Sequence, residues 1–391
     1  MIKNIKSLQI LGCLDPRSGG PTYSIKKLAE HLSAASVQAD IWTFNYPFRD
    51  KKIILENNAK HFIAPDFFLS RRLASWSPWV QSSLEAIANR YDLIHNHGHW
   101  LFGNYCARLV ASKFRKPLMI SPRGMLDPWS FDLKAMKKKV AWGLYERKNL
   151  EAATIFHATS HMEAESIRRL GLKQPIAVLP NGVDCNSPFA SSEYVKQKKK
   201  VLLFLSRIDP KKGLERLFSI WQRQEAKFAD WELVIAGDGE DKYLRKLKAS
   251  ARKKGIGARI RWVGFVEQDA KKKLYRNASL FVLPTFSENF GNAIGEALSF
   301  NIPIITTSGT PWDDVQKERC GWYVENNEEA IEAALIEALQ TSVVNLTEMG
   351  KRGRQLIERK YSWFKVADEM AQTYLWILKM RDTPPKCIRF D

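Results

Sequence analysis

Short apolar runs separated by longer amphipathic stretches set the rhythm of this chain. Residues 8–11, 39–44, 91–95, 117–121, 153–158 and 175–179 are brief and almost uniformly apolar. They read as strands buried on both faces. Between the first two runs, Ile25, Leu28, Ala29 and Leu32 follow the 3.6-residue period of a helix. Alternation of this kind predicts a parallel sheet with helices on both faces. It stops at the turn cluster Pro180-Asn181-Gly182-Val183-Asp184 and a lysine-rich stretch at 191–200, the expected linker. It restarts with strands at 201–205, 231–236, 261–263, 280–283 and 303–306. A last helical pattern, 362–380, carries Phe364, Val366, Ala367, Met370, Tyr374, Leu375 and Ile377 with no strand after it. The expected domains are 1–184 and 185–365, with the segment from about 366 to 391 packing back on the first. Ligands of such sheets bind at the carboxyl ends of strands, and two such domains facing each other would form a cleft.

Size supports two cores: the chain has 391 residues, 45% of them hydrophobic and 26% charged. No run approaches the ~20 apolar residues of a membrane span. The first residues, Met1-Ile2-Lys3-Asn4-Ile5-Lys6, lack the pattern of a secretory signal, so a cytoplasmic protein is expected. The five cysteines have no metal or disulfide spacing. The formal net charge of +19 changes the picture, because such a field attracts polyanions. Nucleic acid is disfavoured, since no zinc-finger spacing, RNA-binding aromatic motif or recognition helix is present. Anionic lipid and phosphorylated substrates remain.

Candidate chemistry concentrates where strands end. After 280–283, Pro284-Thr285-Phe286-Ser287-Glu288-Asn289-Phe290-Gly291 makes a polar turn, and a helical pattern opens through Asn292-Ala293-Ile294-Gly295-Glu296. A helix N-terminus offers N–H groups and a positive dipole end to an anion. Glu288 and Glu296 can accept hydrogen bonds from hydroxyls. Pyrophosphate with a polyol beside it describes a nucleotide sugar. After 201–205, Arg207 and Lys212 lie five residues apart before the helix-opening Gly213, the makings of a phosphate clamp. Gly19-Gly20 fits either a tight turn or a loop where backbone nears a ligand. His95, His97 and His99 close another strand. Metal binding, buried structural histidines and a hydrogen bond to a sugar stay open for them, although no acid ligand follows at diagnostic spacing. Arg123 and Asp127 add a cation and an acid to the same rim. Gly237-Asp238-Gly239 reads as a structural turn, and Phe265 and Val266 fit either a packed strand end or a backbone edge for a nucleobase. Two stretches mix aromatic and basic residues: 67–79, with Phe68, Arg71, Arg72, Trp76 and Trp79, and 134–142, with Lys137, Lys138 and Lys139. Both suit an anionic bilayer surface and equally an ordinary solvated face.

Together these motifs resemble the retaining glycosyltransferases of family 4, whose GT-B fold sets two Rossmann-like, doubly wound parallel-sheet domains across a cleft. The likeness covers nearly the whole chain. Gly19-Gly20, Asn181-Gly182-Val183-Asp184, Ser206-Arg207 with Lys212-Gly213, Gly237-Asp238-Gly239, and Glu288-Asn289-Phe290-Gly291 with Glu296 come in the family's order. The resemblance implies that Arg207 and Lys212 hold the donor pyrophosphate. Glu288 and the backbone of Asn289, Phe290 and Gly291 would bind the donor sugar, and Glu296 the ribose hydroxyls. Gly19 and Gly20 would admit the phosphates, and His97 would approach the sugar. Arg123 lies in a segment that resembles one subgroup. The implied reaction moves a hexose to a growing, lipid-linked glycan at the inner face of the cytoplasmic membrane, in envelope or exopolysaccharide biosynthesis. UDP-glucose is the first donor expected; UDP-galactose, UDP-N-acetylglucosamine and GDP-mannose are the alternatives. Retention without a protein nucleophile implies front-face attack, with the leaving diphosphate taking the acceptor's proton, and neither metal nor cofactor is expected. A phosphorylase-like enzyme of the same fold and a noncatalytic basic scaffold are the other readings. The absence of a pyridoxal-lysine motif disfavours the first, and the intact set of clamp residues the second.

Overall fold

A computed structural model describes residues 4–15, 19–44, 55, 59–65, 67, 74–128, 130, 135–185, 200–224 and 229–391. The expected linker at 191–199 lies outside them, as do Phe68, Arg71 and Arg72 and the side chain of Lys137. The chain forms two compact units: Met1–Gly182 with Trp363–Asp391, and Val183–Ser362.

The first unit begins in the middle of its sheet. β1 (Ile5–Leu11) is followed on one side by β2 (Val37–Thr43) and β3 (His61–Ile63). The chain then reverses to the other side of β1 with β4 (Leu93–His97), β5 (Leu118–Ser121), β6 (Ile155–Ala158) and β7 (Ile176–Val178), all parallel. Alternate residues serve opposite faces, as the pleat requires. Ile94, Leu118, Ile120 and Phe156 enter one apolar cluster, and their neighbours Leu93, Met119 and Ile155 enter another. A core on each face is why Leu93-Ile94, Leu118-Met119-Ile120 and Ile155-Phe156 are unbroken apolar runs.

The second unit repeats the plan. β8 (Lys200–Leu205) has β9 (Trp231–Ala236) and β10 (Ile260–Gly264) on one side, and β11 (Leu280–Leu283), β12 (Ile304–Thr307) and β13 (Gly321–Val324) on the other. Its core takes Leu202, Leu203, Phe204, Leu233, Val234, Ile235, Phe281 and Val282, all fully buried. In each unit the strand order reverses beside the first strand, and open α/β sheets bind ligands at that point. The reversal points are β1/β4 and β8/β11.

The chain then returns to the first unit. The helix Trp363–Ile377 buries Trp363, Val366, Met370 and Tyr374, and β14 (Ile388–Arg389) pairs antiparallel with β7. Gly182 is required here: a Cβ would sit 2.2 Å from Trp363 Cδ2. Among the described residues no helix is long and apolar enough to cross a membrane.

A buried hydrogen-bond chain joins this helix to the strand ends. Arg123 can only donate, so its Nη2–H binds His97 Nδ1 (3.1 Å) and leaves the His97 proton on Nε2, which donates to Gln9 Oε1 (2.8 Å). Gln9 Nε2 donates to Tyr374 Oη (3.2 Å), and that hydroxyl donates to His95 Nδ1 (2.7 Å). His95 Nε2–H continues to Ser121 Oγ (2.7 Å), Ser121 to His157 Nδ1 (2.8 Å), and His157 Nε2–H to the Leu179 carbonyl (2.9 Å). A donor-only guanidinium at one end and an acceptor-only carbonyl at the other fix every proton between them.

The three imidazoles are therefore neutral, and burial with the nearby Arg123 charge holds them so. His95 and His97 lie well below the ordinary histidine range, and His157 is pushed down to about 3. Burial also lowers the Arg123 guanidinium to about 10. In the unfolded chain each histidine takes its proton near pH ~6.5. Below that pH the unfolded state holds more protons than the folded one, so stability falls with acidity. The slope approaches about 1.4 kcal/mol per pH unit for each histidine. Urea unfolding of the first unit should be level above pH 7 and lose stability steadily from pH 6.5 downward. An unchanged midpoint between pH 7 and 5 would contradict the neutral chain.

Candidate active site

In the second unit the clamp and the glutamate motif come off adjacent strands. From β8 the chain passes Ser206 and Arg207 into the short turn Pro210–Lys212, whose start is capped by Asp209 Oδ1 accepting from Lys211 N (3.0 Å). Gly213 follows at φ 74, and a Cβ there would lie 2.0 Å from the Pro284 carbonyl oxygen. The loop after β8 can thus lie directly on the loop after β11. Phe286 N (2.8 Å) and Thr285 Oγ1 (2.9 Å) donate to the Lys211 carbonyl, and Arg216 Nε donates to Pro284 O (3.0 Å). Held this way, Lys212 Nζ donates to Glu288 Oε1, and both side chains are largely shielded from water. The two expected site residues form an ion pair with each other.

Arg207 is differently placed. Its side chain is 70% exposed, with Asp209 Oδ2 at 3.9 Å. Its backbone is held firmly, because the loop lies against Gly237-Asp238-Gly239 at the end of β9. A Cβ on Gly237 would meet Ser206 O at 1.8 Å and one on Gly239 would meet Ile208 O at 2.0 Å, while Ile208 N donates to Asp238 O (2.7 Å). The glycine turn is structural, as its sequence suggests, and its task is to hold up the loop of Arg207. Beside it Gly237 N donates to Gly264 O (2.8 Å), which brings Phe265 and Val266 to the same edge; Phe265 is exposed.

Gly291, at φ 82, is the N-cap residue of the helix Asn292–Ser299. The Phe290 side chain turns inward against Trp312 (5.1 Å) and Tyr361 (5.9 Å), and its carbonyl accepts from Trp312 Nε1 (2.5 Å). Only the backbone of Phe290 faces the turn. Glu288 N donates to Gly309 O (2.8 Å) at the end of β12. Glu296 is held by Lys271 Nζ on Oε1 (2.7 Å) and Tyr275 Oη on Oε2 (2.8 Å). Lys271, Tyr275, Arg216 and Trp312 were not singled out by sequence. Lys271 and Tyr275 fall on a lysine-rich helix, Gln268–Arg276, that reads as a solvated face.

In the first unit Gly19, at φ 101, precedes the helix Gly20–Leu32 beside the β1/β4 reversal. His97 ends β4, but both its ring nitrogens are engaged, by Gln9 and Arg123. It reaches a sugar only by releasing one of them. Arg123, at φ 56, also donates to Asn181 Oδ1 (2.8 Å). His99 Nδ1 donates to Glu146 Oε1 (3.2 Å), and among the described residues its Nε2 has no partner. No group of three or more His, Cys, Asp or Glu among the described residues is placed to hold a metal ion.

Known proteins match along the whole length. The family model described as Glycosyltransferase Family 4 matches residues 18–187, and that described as Glycosyl transferases group 1 matches residues 188–356. A GDP-mannose:cellobiosyl-diphosphopolyprenol alpha-mannosyltransferase of Xanthomonas oryzae pv. oryzae is 23% identical over 95% of this chain and 96% of its own. Among solved structures, sucrose-phosphate synthase from Thermosynechococcus elongatus superposes with a TM-score of 0.74 at 20% identity, over 96% of this chain and 100% of its own. Anabaena HepE, solved with UDP-glucose, gives 0.72 at 18% identity over 95% and 99%. The two family models together leave little of the sequence unmatched, and the chain belongs to the group 1, family 4 glycosyltransferases, with their GT-B fold.

Proposed function

We propose that this glycosyltransferase is a retaining hexosyltransferase that takes a nucleotide sugar and extends a lipid-linked glycan. The observation that carries the reading is the Lys212–Glu288 pair at the β8/β11 reversal, with Arg207 on the loop that carries Lys212 and Glu296 in the helix that follows the loop of Glu288. A donor can replace each partner of that pair for the other: an anion for Lys212 and hydroxyls for Glu288. Arg207 and Lys212 then stabilise the charge that builds on the leaving diphosphate, which takes the acceptor's proton as the new bond forms on the same face. Backbone N–H groups before Asn292 add the dipole end of a helix. Phe265 and Val266 are the proposed edge for the base; Gly19 and Gly20 are proposed to admit the phosphates, and His97 and Arg123 to contact the sugar. UDP-glucose is the proposed donor, supported by HepE, which holds UDP-glucose on the same fold. The Xanthomonas relative uses GDP-mannose on a diphosphopolyprenol-linked sugar, which supports a lipid-linked acceptor and makes GDP-mannose the competing donor.

Release of nucleoside diphosphate from a panel of nucleotide sugars identifies the donor. Arg207→Ala and Glu288→Ala should each lower turnover by about a hundredfold, ~3 kcal/mol, with the circular dichroism spectrum unchanged. Near-normal turnover in either variant removes that residue from the site.

The first unit is also proposed to rest on an anionic bilayer, at the inner face of the cytoplasmic membrane. In the helix Ala135–Ala141 and the turn Trp142–Glu146 after it, Met136, Val140 and Leu144 recur every four residues and are 77%, 58% and 72% exposed. Lys139, Arg147 and Lys148 flank them, also exposed. Lys138 does not join this surface: its ammonium turns to the Ser130 carbonyl and lies 5.7 Å from the centre of the Trp100 ring. Trp76 and Trp79 are partly exposed and packed by Phe67. An apolar stripe with a basic border suits an anionic interface, each cation adding about 1 kcal/mol near the surface. Vesicles rich in anionic lipid should sediment the protein, less so as salt rises, and Val140→Glu with Leu144→Glu should abolish binding. Equal partition onto neutral and anionic vesicles would oppose this reading.

A further inference from the structure

The lysine-rich helix Gln268–Arg276 follows β10, and two of its side chains point at a single carboxylate. Tyr275 is almost fully buried, its ring stacked on Phe300 at 5.3 Å and tilted against Phe281 at 6.3 Å. Its hydroxyl lies 2.8 Å from Glu296 Oε2 and 3.4 Å from the Ala293 carbonyl. Having one proton, it gives that proton to the closer, charged acceptor. Lys271 Nζ donates to the other oxygen at 2.7 Å. Among the described residues each Glu296 oxygen thus carries one protein donor. A carboxylate oxygen accepts about two hydrogen bonds, so one acceptor position per oxygen is left. Two adjacent acceptors match the two hydroxyls of a vicinal diol.

We propose that Tyr275 and Lys271 are positioning residues that fix the Glu296 carboxylate for the cis-diol of a nucleoside ribose. A glutamate free to rotate would lose side-chain entropy on binding, and one already fixed loses little. Tyr275 is anchored by ring stacking, and through its hydroxyl the rigidity of the core reaches the carboxylate. Lys271 also balances the glutamate's charge, so that the site is not left with a bare anion before the donor arrives. The proposal rests on the reading that Glu296 receives the donor ribose.

The test is calorimetric titration of the full chain with UDP and with 2′,3′-dideoxy-UDP, and with the guanosine pair in parallel. Wild type should prefer the ribose form by about tenfold. Tyr275→Phe keeps the ring packing and should cut that preference about fivefold, leaving the affinity for the dideoxy form unchanged. In transfer assays it should raise KM for the donor with kcat little altered. Lys271→Met, at a partly exposed position, should lower the preference in the same direction and serves if Tyr275→Phe does not fold. An unchanged preference in the variants, or equal weakening toward both analogues, overturns the positioning role. If wild type itself does not distinguish the two analogues, the ribose reading of Glu296 has failed, and the inference built on it falls too.

Discussion

A lysine and a glutamate shut away from water at the ends of adjacent strands must be satisfied by each other or by something that replaces both. Removing one partner of such a pair typically costs ~3–5 kcal/mol, because the other charge is left buried alone. Lys212 and Glu288 are in that position, held by a loop contact that only Gly213 permits. A ligand that opens the pair must bring an anion and hydroxyls together. A nucleotide sugar carries both in one molecule, and the loops around the pair are built on the same terms. Arg207 stands exposed on a backbone supported by Gly237 and Gly239, while Glu296 waits between Lys271 and Tyr275.

The first unit solves a different problem. Its polar strand ends are buried, so each group needs a partner within the protein. The run from His97 through Gln9, Tyr374, His95 and Ser121 to His157 meets that need with every proton assigned, while Arg123 at its head leaves its Nε without a partner among the described residues. It also explains the return of the chain. Tyr374 comes from the helix Trp363–Ile377 and contributes the hydroxyl in the middle of the run. Without that helix Gln9 and His95 would each lose a partner.

Much of this was legible in the sequence, for a physical reason. Strands covered on both faces bury most of their side chains, so the inner strands stand out as short, mainly apolar runs. Glu288 with Glu296, and Arg207 with Lys212, lie close enough in sequence to show as motifs. Three edge strands did not show, although the edge strand β10 did: β3 and β13 are only partly buried, and β14 has two residues. Partners set by tertiary packing were equally silent. Gln9 and Tyr374 are 365 positions apart, and nothing local in either marks the contact. Lys137, Lys138 and Lys139 read as one basic face, yet Lys138 turns inward, since a run of like residues does not say which way each one points. The assignment of His97 to the sugar came from resemblance, and the ring's engagement with Gln9 and Arg123 was not visible until the fold was.

Free nucleoside diphosphate offers the most direct test, because it carries the anion without the sugar. If Glu288 competes with the diphosphate for Lys212, then Glu288→Gln removes the competitor while leaving a neutral side chain of the same shape. Calorimetric titration with UDP and GDP should show tighter binding to Glu288→Gln than to wild type, by roughly tenfold, or ~1.4 kcal/mol. Binding as weak as that of wild type, or weaker, would mean that Lys212 does not leave Glu288 for a phosphate, and would contradict the exchange on which this account of the site depends.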